Sequence, residues 1–222
     1  MTEFEKTAAN RVRRVPERGI YDKETIYRII DDALICHVGL VQDGRPFVIP
    51  TLHARRGDEI LLHGATTSRL IRHVQEGNQV CLTFTHVDAL VLARSVFHHS
   101  MNYRSAVLFG RGELLHGDEA TMQALEQFTE RLLPGRWDDA RSPNAKELKA
   151  TSVVAISIES ASAKVRSGPP GDDEEDYALP VWAGILPLRQ AVGPAEPDGR
   201  LADGIALPDY IDHCIQERNR SR

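Results

Sequence analysis

Residues 44–74 read GRPFVIPTLHARRGDEILLHGATTSRLIRHV. Two apolar runs rich in β-branched residues, PFVIPTLHA (46–54) and EILLHG (59–64), are separated by RRGD (55–58), and the spacing then turns helical at Leu70, Ile71 and Val74. Just upstream, ALICHVGLV (33–41) runs into QDGR (42–45), whose Asp43-Gly44 pair is a strong hairpin signal. Connections this short predict three antiparallel strands in a meander. One short helix then interrupts the sheet, with Thr66 or Thr67 able to cap its start and Gly77 able to close its end.

The same reading extends in both directions. KETIYRIIDDA (23–33) places Ile26, Ile29 and Ile30 on one helical face. Downstream, QVCLTFTH (79–86), ALVLARS (89–95) and RSAVLFGRGEL (104–114) restore the β pattern, with Val87-Asp88 as a tight connection between the first two. An amphipathic helix is expected from Asp118 to about Leu133, with Met122, Leu125, Phe128 and Leu132 on one side. SVVAISIES (152–160) is a late strand, which AKVRS continues or pairs with. The Pro-, Gly- and acid-rich SGPPGDDEEDYALP (167–180) reads as an exposed connection before the apolar WAGILPL (182–188). A proline-rich remainder with a short polar helix near 208–218 reads as a tail on the body. About seven strands with few helices suggest a small closed or partly closed β-barrel, which removes sheet edges.

Composition bounds the function. A chain of 222 residues can bury a substantial core without a disulfide or metal staple. The three cysteines, Cys36, Cys81 and Cys214, lack paired spacing, which argues against a disulfide framework and a zinc site and fits a reducing cytoplasm. No signal-like or membrane-spanning run is present in the sequence, so a soluble, cytoplasmic protein is expected. A net charge of −5 gives no basic footprint for nucleic acid. The basic residues are lopsided, 22 arginines against 5 lysines, and the planar guanidinium fork suits phosphate oxygens.

Three stretches carry candidate chemistry. In ILLHGATTSRLIRHV (60–74), a strand, a glycine turn and a helix start with Ser68 and Arg69 make a seat for an anion, where an ordinary capped helix is the plainer alternative. In VIPTLHA (48–54), Pro50 interrupts the strand, so Ile49, Thr51 and Leu52 either face something other than a neighbouring strand or lie on a simple edge. In FHHSMNYRS (97–105), His98, His99, Ser100, Asn102, Tyr103 and Arg104 concentrate hydrogen-bonding groups between two strands. Metal is the weaker reading there, because adjacent histidines on an extended chain point to opposite sides and no Glu or Cys accompanies them at ligand spacing.

Taken in order, DGRPFVIPTLH, LLHGATTSRLIRHV, VCLTFT, LVLARSVFHHSMNYRSAVLFGRG, ELKATSVVAISIESASAKVRSGPP and VWAGILPL resemble the flavin-nucleotide-binding branch of the pyridoxamine 5'-phosphate oxidase-like superfamily, close to the nitroimidazole-resistance reductases. The resemblance runs from about Arg13 to Leu188. It implies a mainly β fold with flanking helices, a split β-barrel homodimer holding FMN at the subunit interface. The domain would span 1–190, with 191–222 as a tail packed on the barrel. Ile49, Pro50, Thr51 and Leu52 would line the isoalloxazine edge, and His63, Gly64, Ser68 and Arg69 would hold the ribityl phosphate. Asn102, Tyr103 and Arg104 would complete the pocket from the partner subunit, and Trp182 would cover the flavin or pack in the core.

The resemblance implies an FMN-dependent oxidoreductase carrying electrons from a reduced nicotinamide nucleotide to a small organic, nitroaromatic-type substrate, with His98 or His99 as proton donor and no metal. A flavin-storage protein is one alternative. A haem- or deazaflavin-binding relative is another, the haem reading resting on His53, His63, His98 and His99. The paired basic residues expected near the C-terminus of a true pyridoxamine phosphate oxidase are not recognisable, which counts against vitamin oxidation.

Overall fold

Asp22 opens the first helix: its carboxylate accepts from the Thr25 amide at 2.8 Å, and the stripe of Ile26, Ile29 and Ile30 that follows is buried, as the spacing predicts. The computed structural model describes residues 2–220. In chain order the elements are β1 (Gly19–Ile20), α1 (Lys23–Asp32), β2 (Ile35–Gln42), β3 (Arg45–Leu52), β4 (Ala54–Arg56), β5 (Glu59–Ala65) and α2 (Arg69–Gln75). After these come β6 (Val80–Leu92), β7 (Ser100–Gly110), β8 (Gly112–Leu114), α3 (Asp118–Leu132), α4 (Arg136–Asp139) and α5 (Ala145–Ala150). The chain ends with β9 (Thr151–Ser157), β10 (Ser160–Arg166), β11 (Gly184–Pro187) and α6 (Asp209–Arg220).

The strands form two antiparallel sheets. One has the order β1-β10-β7-β6-β2-β3, with β11 on the free upper edge of β6; the other runs β4-β5-β9-β8. The sheets enclose a core that includes Val38, Ile60, Leu62, Leu82, Phe84, Leu108 and Ile156, and they do not join into a ring, so the fold is a split β-barrel. The outer face of the second sheet is covered by α3, with Ala54, Leu61, Val153 and Ala155 packed on Ala124 and Phe128. Strand β9 is therefore buried on both faces, which explains the unbroken apolar run at 153–156.

Several expectations need correction. The hairpin at Asp43-Gly44 forms, both residues having positive φ, but β5 pairs with β4 and β9 and not with β3. The chain changes sheets at His53, so the meander holds for two strands only. Val87-Asp88 is no turn. A single strand of 13 residues, β6, runs through it with a register shift between Val87 and Ala89. The bulge swaps the buried positions from Val80, Leu82 and Phe84 to Ala89 and Val91.

The run 104–114 is likewise split. At Gly110 and Gly112 the chain crosses between sheets so close to β9 that a Cβ would lie 1.9 Å from the Ser157 carbonyl oxygen and 2.6 Å from that of Ala155. Segment β10 pairs with β7 and β1 and does not continue β9. On α3 the buried face is Thr121, Ala124 and Phe128, rotated from the expected one, because small residues let the helix approach the sheet; Met122 and Leu125 lie at its flank and Leu132 is exposed.

Helix ends are tied across the fold. Arg131 on α3 donates to the Ile30 and Ala33 carbonyls at the end of α1, and Arg218 on α6 donates to the Leu132 carbonyl at the end of α3. Tyr210 on α6 donates to Asp139 at 2.7 Å. Among the described residues, no helix is long and apolar enough to cross a membrane.

Candidate functional site

Strand β5 delivers His63 and Gly64 to a turn that starts α2. The residue at the N-cap is Ser68, without a side-chain capping bond; the Thr66 and Thr67 caps expected from the sequence do not form, and the Thr66 amide instead reaches the Ala150 carbonyl. Gly77 ends the helix with a positive φ, as expected. A Cβ on Gly64 would lie 3.7 Å from the Ser68 hydroxyl, so these two positions adjoin. His63 packs edge-on against Phe128 at 4.6 Å, and burial lowers its pKa. Arg69 lies with its guanidinium 3.9 Å from the centre of the Phe47 ring on β3. Its N–H groups have no hydrogen bond or ion pair among the described residues.

The contact joins the turn to the second candidate stretch. β3 is the edge strand of its sheet; Pro50 sits opposite His37, exposed, with Ile49, Thr51 and Leu52 half-buried beside it. The simple-edge reading of Pro50 therefore describes the strand, and that edge lies next to the turn that carries Ser68 and Arg69.

The third stretch lies elsewhere. Residues 93–99 form the loop, while Ser100 to Arg104 already belong to β7. Asn102 is nearly buried and donates to the Gly168 carbonyl at 3.2 Å, while accepting from Arg166. Arg104 makes a bidentate pair with Asp88 and a second ion pair with Asp32. Tyr103 is half-buried in the strand. His98 lies 3.3 Å from Asp173, and His99 Nδ1 lies 3.0 Å from the Ser95 carbonyl. Trp182 is 64% exposed, which removes the core reading of that residue.

Within one chain the two halves are apart. Pro50 is level with His37 and Thr83, whereas Asn102 is level with Ala89, six residues further along β6, or roughly 20 Å at the rise of an extended strand. Around the gap the outer face is apolar: Ile35, Val48, Leu90 and Met101 are exposed, and Val96 and Phe97 are 87% and 86% exposed.

The acidic segment 167–180 is not simply solvated. Asp172 has a fully buried side chain that accepts from the Arg94 amide at 2.9 Å, the Ser95 amide at 3.2 Å and the Arg94 guanidinium at 3.2 Å. Burial opposes its charge, but these donors outweigh it and hold the carboxyl below its ordinary range. Arg94 also lies over the Tyr177 ring at 4.9 Å.

Sequence reasoning missed His73. It lies on α2, 8% exposed, and its Nε2 is buried with no hydrogen-bond partner among the described residues. It lines an apolar recess of about 410 Å³ with Val41, Phe47, Val48, Val80 and Phe109, and a polar recess of about 290 Å³ with Arg69 and Arg72. A buried imidazole nitrogen without a partner is costly unless a ligand satisfies it. The available signal was its place between Leu70 and Val74, on the apolar side of a helix. Of the other histidines, His53 is buried beside Arg131, 2.9 Å from its Nε2, and burial followed by that charge pushes its pKa down to about 4.

The family model described as pyridoxamine 5'-phosphate oxidase matches residues 22–165. The chain belongs to the pyridoxamine 5'-phosphate oxidase family. As a member of that family it is similar to the flavocytochrome Anf3 from Azotobacter vinelandii, with 41% identity, a TM-score of 0.88, and coverage of 93% of this chain and 96% of that one. It is also similar to the FAD and heme binding protein from Mycobacterium smegmatis, with 35% identity, a TM-score of 0.84, and coverage of 88% and 96%. A family relative described as a 5-nitroimidazole antibiotic resistance protein, from Bacteroides thetaiotaomicron, is 26% identical with a TM-score of 0.57, over 66% of this chain and 86% of that one. No curated protein matches the chain.

Proposed function

We propose that this protein is a flavin- and haem-binding electron-transfer protein of the pyridoxamine 5'-phosphate oxidase family. The observation that carries the reading is the unpartnered, buried Nε2 of His73 beside an apolar recess, in a chain 41% identical to a flavocytochrome. Imidazole is a common protein donor to haem iron. His73 would supply it, Phe47, Val48 and Phe109 would offer apolar surface to the porphyrin, and Arg72 would meet its carboxylates. Of the sequence-based haem candidates, His53 also has a buried, unpartnered nitrogen, Nδ1, but its Nε2 lies against the Ile30 carbonyl and Arg131, and His63 packs on Phe128, which favours His73 beside its recess.

The flavin would lie along Ile49, Pro50, Thr51 and Leu52, with its phosphate at His63, Gly64, Ser68 and the free N–H groups of Arg69. FMN is the form expected from the sequence and FAD is the form named for the 35% relative; both present the same ring and first phosphate to these residues. Two copies of the chain, paired through the apolar outer face, would bring the loop with His98 and His99, together with Asn102, Tyr103, Arg104 and Trp182, to the partner's flavin. The separation of the two halves within one chain supports this arrangement. A bound flavin supplies hydride acceptance from a reduced nicotinamide nucleotide and one-electron delivery to haem or to a small organic acceptor. Three free cysteines suit a reducing compartment, which we take to be the cytoplasm.

The experiment is reduction of the purified protein by NADH or NADPH without oxygen, followed by difference spectroscopy. Both flavin and haem bands should change. A protein whose flavin is not reduced by either nucleotide, or one without haem after reconstitution, would contradict the proposal.

A further inference from the structure

The N-terminal arm carries cations that the rest of the fold leaves alone. Residues 6–18 contain Lys6, Arg11, Arg13, Arg14 and Arg18 against one acid, Glu17, and none of these cations makes an ion pair among the described residues. Eight arginines elsewhere do pair with carboxylates. Fixed positive charge without a carboxylate raises the local potential and favours an anion.

The arm is nonetheless held in place. Buried Asn10 donates to the Glu5 carbonyl at 2.8 Å and to the Ala161 carbonyl of β10 at 3.1 Å. The Val12 amide donates to the Tyr21 hydroxyl, and Lys164 donates to the Arg14 carbonyl, each at 2.9 Å. Lys6 is positioned over the Tyr21 ring at 4.7 Å. Val15 adopts a left-handed conformation, φ 55°, which a β-branched residue rarely accepts and which surrounding bonds must enforce.

The arm itself lines an open surface recess of about 700 Å³, bounded by Lys6, Thr7, Ala8, Arg11, Val12, Arg13 and Pro16, with no acid among them. Arg18 adds a like charge beside Arg166, whose pKa is lowered by burial and then by that charge.

We propose that this cavity is a binding site for an organic phosphate of nucleotide size. Three cations among the lining residues suit a di- or triphosphate chain, Ala8, Val12 and Pro16 add apolar surface for a base or sugar, and the volume falls within the usual span for small-molecule sites, about 300–1,000 Å³. A preorganised arm loses little freedom on binding. The anion could come from a free nucleotide or from the adenylate end of a bound dinucleotide; the phosphate chemistry is shared, and the site does not depend on His73 or Arg69.

The test uses ADP as the probe, titrated by calorimetry into the full-length protein as purified, beside the double variant Arg11→Ala/Arg13→Ala. FMN and FAD retention and the unfolding temperature are measured on both proteins. We expect the double variant to bind ADP, or to retain FAD, about tenfold or more weakly, with FMN retention and unfolding temperature unchanged. Arg11→Lys/Arg13→Lys should recover most of that loss. Weakened ADP binding with unchanged FAD retention assigns the site to a free nucleotide; lost FAD retention assigns it to a bound dinucleotide's adenylate end. A double variant unaltered in both readouts would overturn the proposal.

Discussion

The Arg69 guanidinium stacks 3.9 Å from the centre of the Phe47 ring and thereby holds the start of α2 against the edge strand β3. Arg69 is exposed, and its N–H groups make no hydrogen bond or ion pair among the described residues, so they are open to an anion. Arg69→Ala should weaken flavin retention by about ten- to a hundredfold, the range for loss of a charge-assisted contact. Arg69→Lys keeps the charge and loses the fork, so it should fall in between. Equilibrium dialysis of the released flavin measures both, and equal retention by all three proteins would remove Arg69 from the phosphate site.

His73 separates haem from flavin. Replacing it with Ala leaves the proposed flavin residues on β3 and β5 in place while removing the unpartnered imidazole. The variant should lose its Soret band and keep its flavin spectrum, and added imidazole should restore part of the haem absorbance. An unchanged Soret band would assign the iron to another donor.

Asp172 clamps the acidic segment onto the loop that carries His98 and His99. In Asp172→Asn, one amide oxygen can still accept, but the ionic component to Arg94 is gone. Limited proteolysis should then cut within 167–180 faster than in the wild type, with the rest of the barrel equally resistant. Identical cleavage rates would show that the clamp does not hold the segment.

His53 should make stability depend on pH. Its folded pKa is about 4 against an ordinary 6.5, so between those values the unfolded chain takes up a proton that the folded chain refuses. Stability is then complete above pH 6.5 and falls as pH drops through the window, by up to about 3 kcal/mol. Urea denaturation of the wild type and His53→Gln between pH 4 and 7 checks this, since the variant should show a flatter profile.

Phe128 fixes α3 to the second sheet, packed on Leu61, Val153 and Ala155. Phe128→Ala should cost about 3–5 kcal/mol through lost burial and the cavity left behind. A loss below 1 kcal/mol in chemical denaturation would mean that the site collapses around the smaller residue.

Much of the fold was legible in local signals. The α1 stripe, the Asp43-Gly44 hairpin and the Gly77 helix end each depend on a few neighbouring residues, and each formed as read. What failed depended on which sheet a strand joins. Nothing local at His53 or Gly110 says that the chain crosses from one sheet to the other: β4 pairs with β5, which joins the second sheet through β9 about ninety residues on, and the Gly110 crossing packs on β9 about forty residues away.

The Val87-Asp88 bulge looked like a turn because it breaks the alternation, which is also what a bulge does. The position of Ser68 and Arg69 at the start of α2 was legible from the strand-turn-helix pattern. His73 was not, since a histidine on an apolar helix face is usually satisfied by the core, and only the packed structure shows its Nε2 without a partner.

The visible absorption spectrum of the purified protein, taken after reconstitution with flavin and haemin and removal of unbound cofactor, tests the central claim most directly. The account predicts flavin bands together with a Soret band at comparable stoichiometry per chain. A protein that retains neither chromophore, or flavin alone under these conditions, would contradict it.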